Sequence, residues 1–339
     1  MPDAHETDAA KIHAATLTLD THVDIPWPNT PDPAGETQRR VDFPKMRRGG
    51  LGAVVFIAYL PQGPLTPEGH AEAAARAEAM LRHIAGTGAA ADRAFCADAA
   101  ATEAAKHAGR LAVLSAVENG YAMGEDLSRL AHWRRLGAIY LTLTHNGHNL
   151  LADSAIPRKD LGDGATLHGG LSALGRQAIA EMNSVGLLVD VSHASRDAML
   201  QAAEISRTPV VATHACCRAL CDHPRNLDDA QLDALKAVSG LVQITAVPAF
   251  LRKGADGNGA TQAGVADYVD HAVRRIGIEH VGMSSDFDGG GWLTDWPDAA
   301  RSKALTAELH RRGYTAREIG LLWSGNFLRL MRLAALAAR

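Results

Sequence analysis

The sequence predicts an α/β fold, a (β/α)8 TIM-like barrel, and three observations predict it. Eight short apolar runs rich in Val, Leu and Ile recur along the chain, and stretches of helical periodicity separate them. A His, Asp or Glu follows six of the runs within a few residues, from position 22 to position 286. Strands buried on both faces read as continuous apolar runs rather than alternating ones. Strand–helix alternation repeated about eight times builds a parallel barrel, and such barrels carry their sites at the C-terminal ends of the strands.

The first run, 17–20, leads into His22 and Asp24 in LTLDTHVDIP. Residues two apart on a strand point to one side, so both can reach one ion in the barrel mouth. The second run, 53–58, is followed by a Gly- and Pro-punctuated loop over 61–69 and a helical pattern over 68–85. The third, 111–117, ends on Glu118, whose two carboxylate oxygens can bridge two cations held about 3.5–4 Å apart. No run contains a Lys that could serve, carboxylated, as the bridge instead.

After a helix over 127–136, the fourth run, 139–143, precedes His145. No ion is assigned to His145, which is placed to stabilise an oxyanion. A second long loop, 153–170, and helices over 174–185 and 196–203 surround the fifth run, 187–191. That run and the sixth, 210–213, precede His193 and His214, a matched pair on neighbouring strands suited to a second ion. Arg225, in HPRNLDD, is a candidate clamp for a substrate carboxylate. Helices over 230–237 and 263–276 flank the seventh run, 241–245. The eighth, 280–284, runs into SSDFDG. There Asp286 lies closer to the strand and is the candidate ligand and proton acceptor, while Asp288 would orient the turn 289–291. The tail, 315–339, reads as a closing helix with Thr315 as N-cap and Glu318 completing a capping box.

The ligands divide into two sets: His22, Asp24, Glu118 and Asp286 around one ion, and Glu118, His193 and His214 around the other. Zinc is the first choice for mixed nitrogen and oxygen ligation, two ions per chain.

Composition narrows the function classes. A hydrophobic content of 47% with 21% charged residues suits a sizeable core, and no Pro- or Ser-rich linker divides the chain, so one domain is expected over 1–339. A net charge of -4 without a Lys/Arg run argues against nucleic acid or an anionic membrane as partner. The N-terminus carries no apolar signal segment and no run is long enough to span a membrane, so the cytoplasm is the expected location. Cys96, Cys216, Cys217 and Cys221 read as buried reduced thiols, with a disulfide at Cys221 left open. His70, His83 and His107 lie in helical stretches and read as solvated.

The motifs together resemble the renal (membrane) dipeptidase family, zinc metallopeptidases of the amidohydrolase-type barrels. The longest match is GLSALGRQAIAEMNSVGLLVDVSHAS, residues 170–195, similar to the family's GLS, E-x-N-x-x-G and D-x-SH elements. DTHVDIP, LTLTHNGHNLLADS, RNLDD and HVGMSSDFDG follow in family order, so the resemblance covers nearly the whole chain. It implies a binuclear zinc site bridged by Glu118, substrate contacts from His145 and Arg225, Asp286 as proton acceptor, and a homodimer. Family members hydrolyse dipeptides, often with a D-residue at the C-terminal position, and some open β-lactams. Two departures stand out. The segment GAVVFIAYLPQG replaces a polar, aromatic stretch, so Val55, Ile57 and Ala58 are expected to alter the pocket wall. Thr213-His214-Ala215 replaces Ser-His-Ser, a change expected to leave the metals untouched. The rivals are a metal-dependent hydrolase of another amide, such as an N-acyl amino acid or a lactam, and a catalytically idle barrel that only binds metal or a protein.

Overall fold

Each of the eight apolar runs is a strand of one parallel sheet in the computed structural model of the chain, which describes residues 4–254 and 259–338. Residues 1–3 and 339, the ends of the expected domain, lie outside the described residues. In chain order the strands are β1 (Leu19–Asp24), β2 (Ala53–Tyr59), β3 (Arg93–Phe95), β4 (Leu111–Glu118), β5 (Ala138–Thr142), β6 (Leu188–Asp190), β7 (Val211–Ala215), β8 (Leu241–Ile244) and β9 (Val281–Met283). They pair in the order β1-β2-β4-β5-β6-β7-β8-β9, all parallel. The first and last come together just past β9, where Asp286 N donates to His22 O at 3.1 Å and Asp24 N to Phe287 O at 3.0 Å. The sheet is therefore a nearly closed barrel of the expected kind. The short β3, absent from the sequence reading, pairs with β4 off this path.

Two apolar clusters divide the strands by parity, as the two-residue period of a strand requires. Ala53, Val55 and Ile57 of β2 share one cluster with Leu114 of β4, Leu188 of β6 and Leu241 of β8. Val54, Phe56 and Ala58 belong to the other, with the surrounding helices. The first cluster is the barrel interior. Phe327, Leu328, Leu330 and Met331 of the tail join it, so the tail closes the barrel end opposite the candidate ligands.

That tail is a closing element, though not one straight helix. Thr315 caps it, with both hydrogen bonds of the capping box to Glu318. The helix Ala316–Gly320 then passes through a π turn, Leu321–Gly325, into Asn326–Ala337. Side-chain N-caps also start helices after sheet strands, with a full capping box at Asp228. Ser172, Ser195, Asp228 and Thr261 each accept a backbone N–H of the first turn.

Two expectations change, and that of buried reduced cysteines holds. Val55 and Ile57 are wholly buried inside the barrel and Ala58 packs outside it, so none of them lines a pocket. Tyr59 is the residue this strand brings to the site. His70 is buried rather than solvated, its Nδ1 2.8 Å from Tyr121 O. All four cysteines are buried and free, Cys221 included.

Candidate metal centre

The candidate ligands converge from five strand ends. His22 and Asp24 lie on β1, Glu118 ends β4, His193 follows β6, His214 lies on β7, and Asp286 follows β9. Glu118 is the hub. Its Oε2 lies 3.6 Å from His22 Nε2, and its Oε1 lies 3.3 Å from His193 Nε2 and 3.4 Å from His214 Nε2. His22 Nε2 is also 3.7 Å from Asp24 Oδ1. Among the described residues three groups are compact enough to hold an ion, and two of them include Glu118: His22 with Asp24 and Glu118, and Glu118 with His145 and His193. The second takes in His145, which is assigned no ion in the sequence reading. Asp286 joins neither group, but it shares the turn that packs on Asp24.

Hydrogen bonds decide which nitrogen each imidazole turns to the centre. His193 Nδ1 lies 3.0 Å from Asn146 Oδ1, an oxygen that can only accept. The bare nitrogen of His193 is therefore Nε2, facing Glu118. Such outer partners orient a ligating histidine. Asn146 was missed in the sequence, although the motif LTLTHNGHN places it beside His145.

The electrostatics point the same way. Burial raises Asp24 well above the usual carboxylate range, with Glu118 adding to the shift and His22 opposing it. Burial also lifts Asp286, to about 7, against the pull of His22. For His22, burial disfavours charge, but Glu118, Asp286 and Asp24 outweigh it and raise the imidazole to about 9. Burial keeps His193 and His214 well below their ordinary value, hence neutral. Three carboxylates, Glu118 buried and Asp24 and Asp286 partly so, thus crowd around two neutral imidazoles and the charged ring of His22. Asp24 Oδ1 and Glu118 Oε1 accept no hydrogen bond at all. Buried carboxylate oxygens without donors are costly unless a cation meets them, and a cation would also favour the ionised form of Asp24. The donor set therefore fits bound metal.

The backbone is held in unusual conformations to build this. His193 (φ 64°), Asp286 (φ 59°), Asp288 (φ 63°) and Asn119 (φ 85°), next to Glu118, are four of the five non-glycine residues with positive φ among those described. Such strain costs about 1–3 kcal/mol per residue and gathers at functional sites. Asp288 anchors as expected, with one difference. It fastens the 288 turn to the segment before the helix Phe43–Gly49, accepting Arg40 N at 2.8 Å and Val41 N at 3.3 Å.

On the open side stand Tyr59, His145 and Arg225. The rings of Tyr59 and His145 are 4.7 Å apart, and those of His145 and His193 4.1 Å. Burial lowers His145, so it too is neutral. Arg225 is buried, with Nη2 3.3 Å from His214 O and Nε without a partner. Burial brings its guanidinium down to about 10, against the attraction of Glu118 and Asp286. The loop 153–170 is braced rather than loose, since Asp153 accepts Thr166 Oγ1 and the amides of Leu167, His168 and Gly170.

A family model described as membrane dipeptidase, peptidase family M19, matches residues 6–339. Dipeptidase verJ of Clonostachys rogersoniana is 32% identical over 352 residues, covering 97% of this chain and 87% of the relative. Among solved structures, the probable dipeptidase PvdM from Pseudomonas aeruginosa superposes over 100% of both chains at a TM-score of 0.91 and 27% identity. A metallopeptidase from Rhodobacter sphaeroides, liganded with a phosphinate mimic of L-Ala-D-Ala, does so at a TM-score of 0.80 and 25% identity, over 94% of this chain and 100% of its own. Among the described residues, no helix is long and apolar enough to cross a membrane.

Proposed function

The chain belongs to the membrane dipeptidase family, peptidase family M19, and is a metallo-dipeptidase; on that premise we propose that it works through two zinc ions bridged by Glu118. The observation that carries this reading is the placement of Glu118. One of its oxygens faces His22 and the other, without a hydrogen-bond donor, faces both His193 and His214. His22, Asp24 and Asp286 would complete one side of the centre, and His193 and His214 the other. When bound, the two ions supply Lewis acidity toward a carbonyl oxygen and toward water.

The remaining steps belong to the chain. Asp286 takes the proton of the attacking water and passes it to the leaving amine. His145, partly exposed beside His193, donates toward the oxyanion that develops on the scissile carbonyl. Arg225 holds the substrate's C-terminal carboxylate, for which its unpartnered Nε is available. A carboxylate clamp a fixed distance from the reacting carbonyl selects dipeptides over longer chains. The phosphinate complex of the Rhodobacter sphaeroides relative supports extending the substrates to those with a C-terminal D-residue.

The test is steady-state hydrolysis of L-Xaa-L-Xaa and L-Xaa-D-Xaa dipeptides by zinc-loaded protein, with an N-acetylated dipeptide and chelator-treated enzyme beside them. Cleavage of free dipeptides that chelation abolishes is expected, the acetylated one being refused. Preferential cleavage of acyl amino acids or lactams would assign the site to another amide.

A further inference from the structure

We infer that Asp190 and Thr213 are positioning residues that fix which ring nitrogen His22 and His214 turn to the metal centre. The inference rests on the reading of those two histidines as ligands. Asp190 is fully buried, and four donors surround its carboxylate. Oδ1 accepts Ser192 N at 3.0 Å and Thr213 N at 3.1 Å. Oδ2 accepts Thr142 Oγ1 at 2.6 Å and Thr213 Oγ1 at 2.7 Å.

A carboxylate has no proton to give, so the Thr213 hydroxyl spends its one hydrogen on Asp190. Its lone pairs then face His214 Nδ1 at 3.0 Å and His22 Nδ1 at 3.3 Å. Both rings must carry a proton on Nδ1, and the nitrogen left for a cation is Nε2, which faces Glu118 in each. Tyr140 imposes the same sense on His22. Its hydroxyl donates to Thr21 O at 2.8 Å and so accepts from His22 Nδ1 at 2.9 Å. One buried carboxylate thereby sets the polarity of a ligand on each side of the centre. The Ser-to-Thr departure at 213, expected to leave the metals untouched, sits at the junction of this network.

His22, Asp190 and His214 also lie close enough together to hold an ion by themselves. The hydrogen bonds assign them otherwise. Both Asp190 oxygens and both Nδ1 atoms are already partnered, whereas Asp24 Oδ1 and Glu118 Oε1 have no donor.

Asp190→Asn keeps the shape and reverses the polarity. Its amide oxygen would stay on the two backbone N–H groups, and its NH2 would then donate to Thr213. The Thr213 hydroxyl must turn its hydrogen to a histidine Nδ1, and that ring then carries its proton on Nε2 and loses a ligand lone pair. The experiment is calorimetric zinc titration of the metal-free full chain as wild type, Asp190→Asn, Thr213→Val and Thr213→Ser, with the metal-free Tm of each recorded. Asp190→Asn and Thr213→Val are expected to bind zinc about 10–100-fold more weakly, the cost of losing such an outer partner. Thr213→Ser should restore wild-type binding, and the losses should not follow the Tm values. Wild-type zinc affinity in Asp190→Asn or Thr213→Val, or a loss in Thr213→Ser equal to that in Thr213→Val, overturns the inference. Should Asp190→Asn fail to fold, the two Thr213 variants decide alone. A wild-type chain that takes up no zinc overturns the metal reading itself, a separate result.

Discussion

Gly289→Ala should disable the centre although residue 289 is itself no ligand. A Cβ at this position would stand 2.9 Å from Asp24 Oδ2 and 3.1 Å from Asp24 Cγ, and closer still to Asp286 Oδ1. Ordinary contact begins near 3.4 Å, so Asp24 must yield by about half an ångström and Asp286 by about 1 Å. Neither can yield freely. Asp286 is tied through its backbone to His22 and to the amides of Gly289, Gly290 and Gly291, and both carboxylates are partly buried. A displacement of about 1 Å at reacting groups costs on the order of 100-fold in rate, or about 2.7 kcal/mol. The assay is kcat/KM for a good dipeptide beside zinc content. Gly290→Ala is the control, since its nearest neighbour, Asp286 Oδ2, is 3.6 Å away. A Gly289→Ala enzyme as active as Gly290→Ala would refute the packing of the 289 turn on both carboxylates.

Three further outcomes are expected. Arg225→Lys keeps the charge but loses the planar fork, so KM should rise about 10-fold or more with kcat less affected, and amidated dipeptides should no longer be penalised; an unchanged KM would remove the clamp. His145→Ala should bind zinc normally and lose about 100–1000-fold in kcat, whereas weakened zinc binding would make His145 a ligand, as its grouping with Glu118 and His193 allows. Away from the site, His13 joins Thr306 Oγ1 at 2.7 Å to Gly49 O at 2.9 Å, and burial lowers its pKa despite the Gly49 carbonyl. A depressed folded pKa means that the unfolded chain takes up the proton first. Its share of stability is therefore complete above about pH 6.5 and falls with acidification, by at most about 1.4 kcal/mol per pH unit. His13→Gln should flatten the fall of Tm with pH over that window, and an unchanged slope would contradict the assignment.

The barrel was legible because its strands are apolar throughout and stop at polar, ligand-type residues. LAVLSAVE and VATHA carry strand and ligand in one short segment. What escaped notice lacked that contrast. The three residues of β3 are only partly buried, the helix Ala4–Ala15 is Ala-rich with little apolar contrast around its faces, and Ala99–His107 buries only the small side chains of Ala99, Thr102 and Ala105. The positions of the candidate ligands could be read one by one, each from its own strand end. Their orientation could not. Tyr140, Asp190 and Asn146 act on His22, His214 and His193 from other strands and loops, and only the closed barrel brings them together. The pocket wall misled for a related reason, since strand parity sends Val55 and Ile57 into the core and leaves Tyr59 at the rim.

The account stands most directly on two ions sharing Glu118, and a crystal grown with zinc and measured across the zinc absorption edge tests it. Two anomalous peaks are expected, one with His22 and Asp24, the other with His193 and His214, each within about 2.0–2.2 Å of a Glu118 oxygen. A single peak, or one on the Asp190 side of His22 and His214, would contradict it.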